Sequence, residues 1–205
     1  DKVISKELFI KYDIPTPKGI TLTVGQEAQW DTYPCIVKVN RGGSSVGVYK
    51  AENAQELQDA LKQAFSFEKR VLIEEYIDGR EFSIGVMDGK ALPIIEIAPK
   101  VGFYDYKNKY SAGATKETCP AKVDEETSQI MQRWAEKACE AAGIKAFARV
   151  DELMNEDGQI FCLEINTLPG MTATSLVPQE AQVVGISYDA VSYTHLRAHE
   201  TSQDL

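Results

Sequence analysis

Histidine is nearly absent from this 205-residue chain: there are two, His195 and His199, both close to its end. Four residues apart, they could share a metal on a helix. The run Val191-Ser192-Tyr193-Thr194-His195-Leu196-Arg197-Ala198-His199-Glu200-Thr201 has no sustained helical or strand period, however, and resembles a translated sequencing adapter. Residues 191–205 are therefore read as a non-native tail, with natural sequence ending near Ala190 and no ordered packing expected beyond it. With the tail set aside no histidine remains, which excludes a histidine base and a histidine-held zinc. A metal here has to be held by oxygen ligands, as Mg²⁺ or a similar hard cation is.

Other scarcities narrow the class further. There are four cysteines, none in a C-x-x-C, and three of them sit in apolar patterns. Free buried thiols in a reducing cytosol fit this better than a disulfide framework. Positive charge is short: 22 Lys and Arg against 31 Asp and Glu leave a net charge of −9. That disfavours nucleic acid as a partner, although a nucleotide can bind where local cations and a metal offset the field. No apolar run approaches the roughly 20 residues of a helical membrane span, and the start at Asp1 reads as no leader peptide. What is present is 43% hydrophobic and 26% charged residues, an ordinary globular balance.

The pattern predicts an α+β chain. Lys2 to Tyr12 reads as a helix ended by Ile14-Pro15-Thr16-Pro17. Pro34 to Val39 reads as a strand, followed by a glycine/serine loop from Arg41 to Gly47 and a short strand at Val48-Tyr49. Ala54 to Phe65 is an amphipathic helix with Asn53 and Glu56 placed to cap it. Val71 to Ile73 is a strand running into Glu74 and Glu75. Glu81–Met87 and Ala91–Ile97 flank Asp88-Gly89, a hairpin turn. Val101 to Pro120 lacks a period and is read as a lid loop. Glu125 to Ala142 is a helix stopped by Gly143, and the strands Ala146–Met154 and Ile160–Thr167 follow. The expected organisation is a lobe over 1–77, a second over 78–190, and the tail.

The last two strands flank Asp157-Gly158, a preferred two-residue turn. Such a turn pairs Asp151 with Glu164 and Arg149 with Asn166, all on one face. Opposed side chains have Cβ atoms roughly 4.5–5.5 Å apart, so two carboxylates there repel unless a cation lies between them. Mg²⁺, with Asn166 adding a carbonyl oxygen, is the natural occupant. The alternative, a solvated acidic face, is disfavoured because Val150, Phe161, Leu163 and Ile165 are read as the core face. Lys38 ends an otherwise apolar strand and must snorkel out or meet an anion. The loop Arg41-Gly42-Gly43-Ser44-Ser45-Val46-Gly47 follows directly, and it can bring backbone N–H groups to a phosphate. It lacks the G-K-[ST] of a P-loop. Glu74 and Glu81 bracket the junction of the two halves, where surface acids and nucleotide-binding acids look alike.

These residues resemble the D-alanine–D-alanine ligases from Asp1 to about Ala190. The marks are Asp1-Lys2, Ile36-Val37-Lys38, Gly43 to Gly47, Phe103-Tyr104-Asp105-Tyr106 with Lys109-Tyr110, Arg149-Val150-Asp151 and Glu164-Ile165-Asn166-Thr167. Leu168-Pro169-Gly170-Met171-Thr172 with Ser175-Leu176-Val177-Pro178 separates this family from other ATP-grasp enzymes. The resemblance implies an ATP-grasp fold, two α+β lobes clamping ATP. It implies Lys2, Lys38, Lys109 and the backbone at Ser45 on phosphates, Glu74 and Ile77 on adenine, and Glu81 on ribose. Asp151, Glu164 and Asn166 would hold two Mg²⁺, with Mn²⁺ as a substitute. Arg149 and the Gly170 N–H would stabilise an oxyanion, Ser175 and Leu176 would hold the second D-alanine, and Ser44 and Tyr110 would share a hydrogen-bond network. It further implies ligation of two D-alanines through an acyl phosphate, a cytoplasmic setting in peptidoglycan precursor synthesis, and a homodimeric parent. The family's N-terminal domain is read as missing, which leaves turnover by this chain open. The alternatives are a Mg·ATP-binding fragment without turnover, or another ATP-grasp carboxylate–amine ligase. Two positions depart from the family's usual residues: Val39, often proline, and Glu152, usually apolar.

Overall fold

The computed structural model describes residues 1–43, 46–99 and 115–193. They form two compact units, one built on Asp1–Glu7 and Pro17–Asp78, the other on Leu8–Thr16, Gly79–Ala98 and the residues from Lys116 onward.

In the first unit the strands β1 (Gly19–Thr23), β2 (Cys35–Val39), β3 (Val48–Ala51) and β4 (Arg70–Glu75) form an antiparallel sheet in the order β1-β4-β2-β3. Period-2 alternation sorts the side chains. Cys35, Val37, Val39, Val71 and Ile73 enter one core with Leu57, Ala60, Leu61 and Ala64 of helix α2 (Ala54–Phe67). The intervening residues of β2 and β4, among them Ile36, Lys38, Leu72 and Glu74, take the other face, with Ile36 opposite Glu74 and Lys38 opposite Leu72. The α2 cap forms as the sequence suggests: the Asn53 side chain accepts from the Glu56 N–H at 3.1 Å, and the Glu56 carboxylate accepts from the Glu52 N–H at 2.8 Å. Strand β1 had no clear signal in the sequence, because its Gly-Ile-Thr-Leu-Thr alternation is short. Helix α1 (Lys2–Lys11) begins at Asp1, whose side chain accepts the Ile4 N–H at 3.0 Å as an N-cap.

The second unit holds β5 (Gly79–Met87), β6 (Lys90–Ala91), β7 (Ile95–Pro99), β8 (Thr115–Thr118), β9 (Phe147–Asn155) and β10 (Ile160–Asn166). The sheet order is β10-β9-β5-β7-β8, with β6 also on β5. Asp88 and Gly89 turn with φ of 48° and 74°, as a tight hairpin requires. The returning strand is broken at Leu92-Pro93-Ile94, since proline cannot donate to the ladder. Helix α3 (Glu125–Ala141) lays Met131, Ala135, Ala138 and Cys139 against Phe82, Ile84, Ala148 and Val150, joined by Phe9 and Ile14. The stretch expected as an aperiodic loop ends instead in β8; residues 101–114 lie outside the described ones.

Two expectations about the last hairpin need correction. The turn at Asp157-Gly158 is not a two-residue turn: Asn155 pairs with Gln159 through an N–H to carbonyl bond of 3.0 Å, leaving three loop residues, with Gly158 at φ 77°. Pairing then runs Ile160 with Met154 and Cys162 with Glu152, until a bulge between Cys162 and Glu164 shifts it by one. Beyond the bulge Glu164 faces Asp151 and Asn166 faces Arg149. The longer turn and the bulge offset each other, so the expected pairing stands although its expected cause does not. The core assignment also changes. Ile160 and Cys162, not Phe161 and Leu163, enter the core with Val150, and Ile165 joins them because the bulge reverses the phase.

The tail expectation is also revised. Residues 188–193 are helical, and Val191 is fully buried with Leu92, Phe147, Val177 and Ala181. Ordered packing therefore extends past Ala190; residues 194–205 lie outside the described ones. Helix α4 (Leu176–Val183), which no clear periodicity announced, supplies Val177 and Ala181 to this cluster. Among the described residues no helix is long and apolar enough to cross a membrane.

Candidate active site

In the first unit, the start of α1 is stitched to the chain leaving β2. The Asn40 side chain accepts the Val3 N–H at 3.0 Å and donates to Asp1 at 2.8 Å. The Lys2 ammonium donates to the Gly42 carbonyl at 2.6 Å, so Lys2 lies at the glycine loop. Ser44 and Ser45 fall outside the described residues. Lys38 meets an anion, as its place on an apolar strand requires: the anion is Glu74, at 2.5 Å. Glu74 is 1% exposed and also ion-pairs with Lys6. Burial alone would push its carboxyl up, but the two ammonium groups outweigh burial and hold it below the usual carboxylate range. Burial lowers Lys6 despite the partly offsetting attraction of Glu74. Lys6 was not singled out by sequence; its only signal is that it lies one helical turn beyond Lys2. Ile77 follows β4 by two residues and is half-buried.

In the second unit, opposed residues of β5, β9 and β10 share a face. Ser83 lies opposite Asp151, and Gly85 opposite Arg149. Asp151 lies opposite Glu164, and Arg149 opposite Asn166. Glu81, opposite Leu153, continues the same face. Arg149 grips Asp151 with two hydrogen bonds, Nε at 2.8 Å and Nη2 at 2.7 Å. The Asn166 amide donates to Asp151 at 3.0 Å and to Glu164 at 3.2 Å. Burial works against the charge of Arg149, but Asp151 more than offsets it and raises the guanidinium above its ordinary value.

This donor set fits a hard divalent cation. It contains two carboxylates held together by hydrogen-bond donors, plus an amide that can turn its oxygen inward, with neither thiolate nor imidazole. Among the described residues no cluster of three or more His, Cys, Asp or Glu side chains is placed to hold a metal. An ion at Asp151 and Glu164 must therefore complete its shell from Asn166, water or a substrate.

Farther along the same face, α4 covers the sheet. Its Glu180 is fully buried and accepts the Gly85 N–H at 2.5 Å. A Cβ on Gly85 would come within 2.6 Å of that carboxylate oxygen, so glycine is what lets Glu180 seat. Burial pushes Glu180 up to about 8, against the pull of the Gly85 N–H and Arg149. Ser175 precedes α4, and its hydroxyl accepts the Thr172 N–H at 2.9 Å. A Cβ on Gly170 would meet that hydroxyl at 3.1 Å, so Gly170 lies close against Ser175, the residue that opens α4. Glu180 and Ser83 escaped the sequence reading, because a single acid in an apolar stretch and a single serine on a strand carry no distinctive spacing. Lys109 and Tyr110 lie outside the described residues.

The sequence profile described as D-ala D-ala ligase C-terminus matches residues 12–194. The D-alanine–D-alanine ligase of Methylacidiphilum infernorum is 39% identical over 97% of this chain, which spans 68% of that protein. The one from Syntrophotalea carbinolica is 41% identical over 92% of this chain, which spans 62% of it. The crystal structure of the Bacillus anthracis D-alanine–D-alanine ligase superposes with a TM-score of 0.86 at 34% identity, covering all of this chain and 68% of that one. A structure of the Bacillus anthracis enzyme complexed with ATP superposes at 0.83. The fold class is therefore α+β of the ATP-grasp type. Within that class, the chain belongs to the D-alanine–D-alanine ligase family.

Proposed function

We propose that this chain is the ATP-binding and catalytic part of an enzyme that joins two D-alanines at the expense of ATP, through an acyl phosphate. The observation that carries the reading is the face of the second unit where Asp151, Glu164, Asn166 and Arg149 converge. A carboxylate is a poor electrophile, and phosphorylation by ATP makes it reactive toward an amine. Asp151, Glu164 and Asn166 would hold Mg²⁺, two ions by family resemblance, with Mn²⁺ as a substitute. Bound there, the metal neutralises charge on the transferring phosphoryl group. Lys2 and Lys38 would add positive charge to the phosphates, with Lys109 and the backbone at Ser45. Glu74 and Ile77 would receive adenine, and Glu81 the ribose. Arg149, already beside the carboxylates, and the Gly170 N–H would stabilise the tetrahedral oxyanion. Ser175 and the Leu176 N–H would orient the second D-alanine, and Ser44 and Tyr110 would complete a hydrogen-bond network around the substrates. A cytoplasmic setting, a homodimeric parent and a product destined for peptidoglycan belong to the same reading.

The test is D-alanine-dependent phosphate release from ATP. It is run on the chain alone and on the chain completed with the remaining sequence of the Methylacidiphilum infernorum relative. Release that requires D-alanine and Mg²⁺, and disappears in Asp151→Asn, is the expected result. Arg149→Met should lower kcat by about 10²–10³-fold, the usual effect of removing one oxyanion donor. ATP binding without any response to D-alanine would leave a nucleotide-binding module. A response to a different amino acid would point to another carboxylate–amine ligase.

A further inference from the structure

Glu74 has one more cation than a carboxylate needs. One negative charge, 1% exposed, is bracketed by the ammonium groups of Lys6 and Lys38, so the group of three carries net positive charge. The two lysines are held differently. Lys6 is buried, with a side-chain exposure of 6%, and its ammonium also donates to the Pro17 carbonyl at 2.5 Å. It comes from α1, whose first turn is fixed to Asn40 by the bonds to Val3 and Asp1. Lys38 is more accessible, at 15%, and stands next to the strand end where Asn40 and the glycine loop begin. Withdrawing Lys6 from Glu74 would strand its own buried ammonium, since Glu74 would keep only Lys38. Withdrawing Lys38 would leave Glu74 with a full counter-ion in place. Gly19 makes room for this arrangement, since a Cβ there would press on the Glu74 side chain at 3.1 Å.

We propose that Lys6 is a positioning residue for nucleotide binding: as the permanent counter-ion of Glu74, it allows Lys38 to leave that carboxylate for a phosphate group. The inference rests on the reading of Lys38 as a phosphate ligand. Without Lys6, Lys38 becomes the sole cation on a buried carboxylate, and each nucleotide bound must first remove it. Binding then weakens although Lys6 itself touches no ligand.

Three measurements on the full chain test this, using Lys6→Gln, Lys38→Met and the double variant. Lys6→Gln keeps hydrogen-bonding capacity but loses the charge. Thermal melts without ligand come first: Lys6→Gln, which loses a buried ammonium bonded to both Glu74 and the Pro17 carbonyl, should fall below Lys38→Met, which should stay near wild type. Equal losses would make Lys38 a structural counter-ion and overturn the proposal. Next, Lys38 is acetylated with an N-hydroxysuccinimide ester of acetic acid, without nucleotide, and followed by peptide mass spectrometry. Its labelling should slow about tenfold in Lys6→Gln, the ratio expected when one charged hydrogen bond becomes exclusive. It should recover in Lys6→Gln/Glu74→Gln. Unchanged labelling in folded Lys6→Gln sinks the idea. Finally, Mg·ATP binding by calorimetry should weaken about tenfold or more in each single variant and no further in the double. Multiplying losses would mean independent roles and would count against the exchange. A wild-type chain that binds no ATP removes the nucleotide reading, while the melts and acetylation still decide whether Lys38 is the releasable cation.

Discussion

Glu74 in the first unit and Glu152 in the second are almost equally hidden, at 1% and 0% exposure, yet their surroundings are opposite. Glu74 lies between two ammonium groups and stays charged. Glu152 points into the core beside the Cys162 thiol, 3.5 Å away, and burial drives its carboxyl well above the usual range. Glu180 falls between them, given a backbone N–H but left with a value of about 8. Burial alone therefore says little about an acid's charge; the compensating partners decide it. In the first unit those partners are two lysines on one acid. In the second, Glu152 is a stability cost on the sheet face opposite the candidate metal ligands.

Removing the compensated acid should have the largest effect. Glu74→Leu leaves the Lys6 ammonium buried without a counter-charge and should destabilise the chain by about 3–5 kcal/mol, read from urea unfolding. Glu152→Leu should do the reverse and stabilise by about 1–3 kcal/mol, since it removes a poorly paired polar group from an apolar site. A destabilised Glu152→Leu chain would mean that the acid has a partner worth keeping. The smallest effect is in pH dependence. Glu74, held low, contributes stability above its unfolded value of about 4.3 and loses it as pH falls through the folded value. Glu180, held high, costs stability progressively as pH rises from about 4.3 toward about 8. Hydrogen exchange resolved by segment should therefore show acid loosening β4 and mild base loosening β5 and α4. Glu180→Gln should flatten only the second response. Parallel responses in both units would erase the contrast.

The sequence made some of this legible. The Asn53 and Glu56 cap, the apolar strand ending at Val39 and the positive-φ turn at Asp88-Gly89 follow from local chemistry that survives folding unchanged. The facing of Asp151 and Glu164 was also anticipated, but only because a longer turn and a bulge cancel. Lys6, Ser83 and Glu180 were not legible. Each acquires meaning from a partner distant in sequence, Glu74, Asp151 or Gly85, and short-range spacing carries no record of such pairings. Glu152 is visible in the sequence as a departure, but its full burial beside Cys162 is not.

The extra residue at Leu163 has a consequence for lineage. Cys162 faces Glu152 and Glu164 faces Asp151, so a strand lacking Leu163 could keep both pairings and run straight. The hairpin can therefore lose this residue without exchanging its two faces, so chains that differ in length at this point can keep the same pairing. What such a change alters is the local twist, and with it the angle at which Glu164 approaches Asp151. Single-residue length variation at this bulge is thus a route by which the spacing of two carboxylates can drift without any substitution of either.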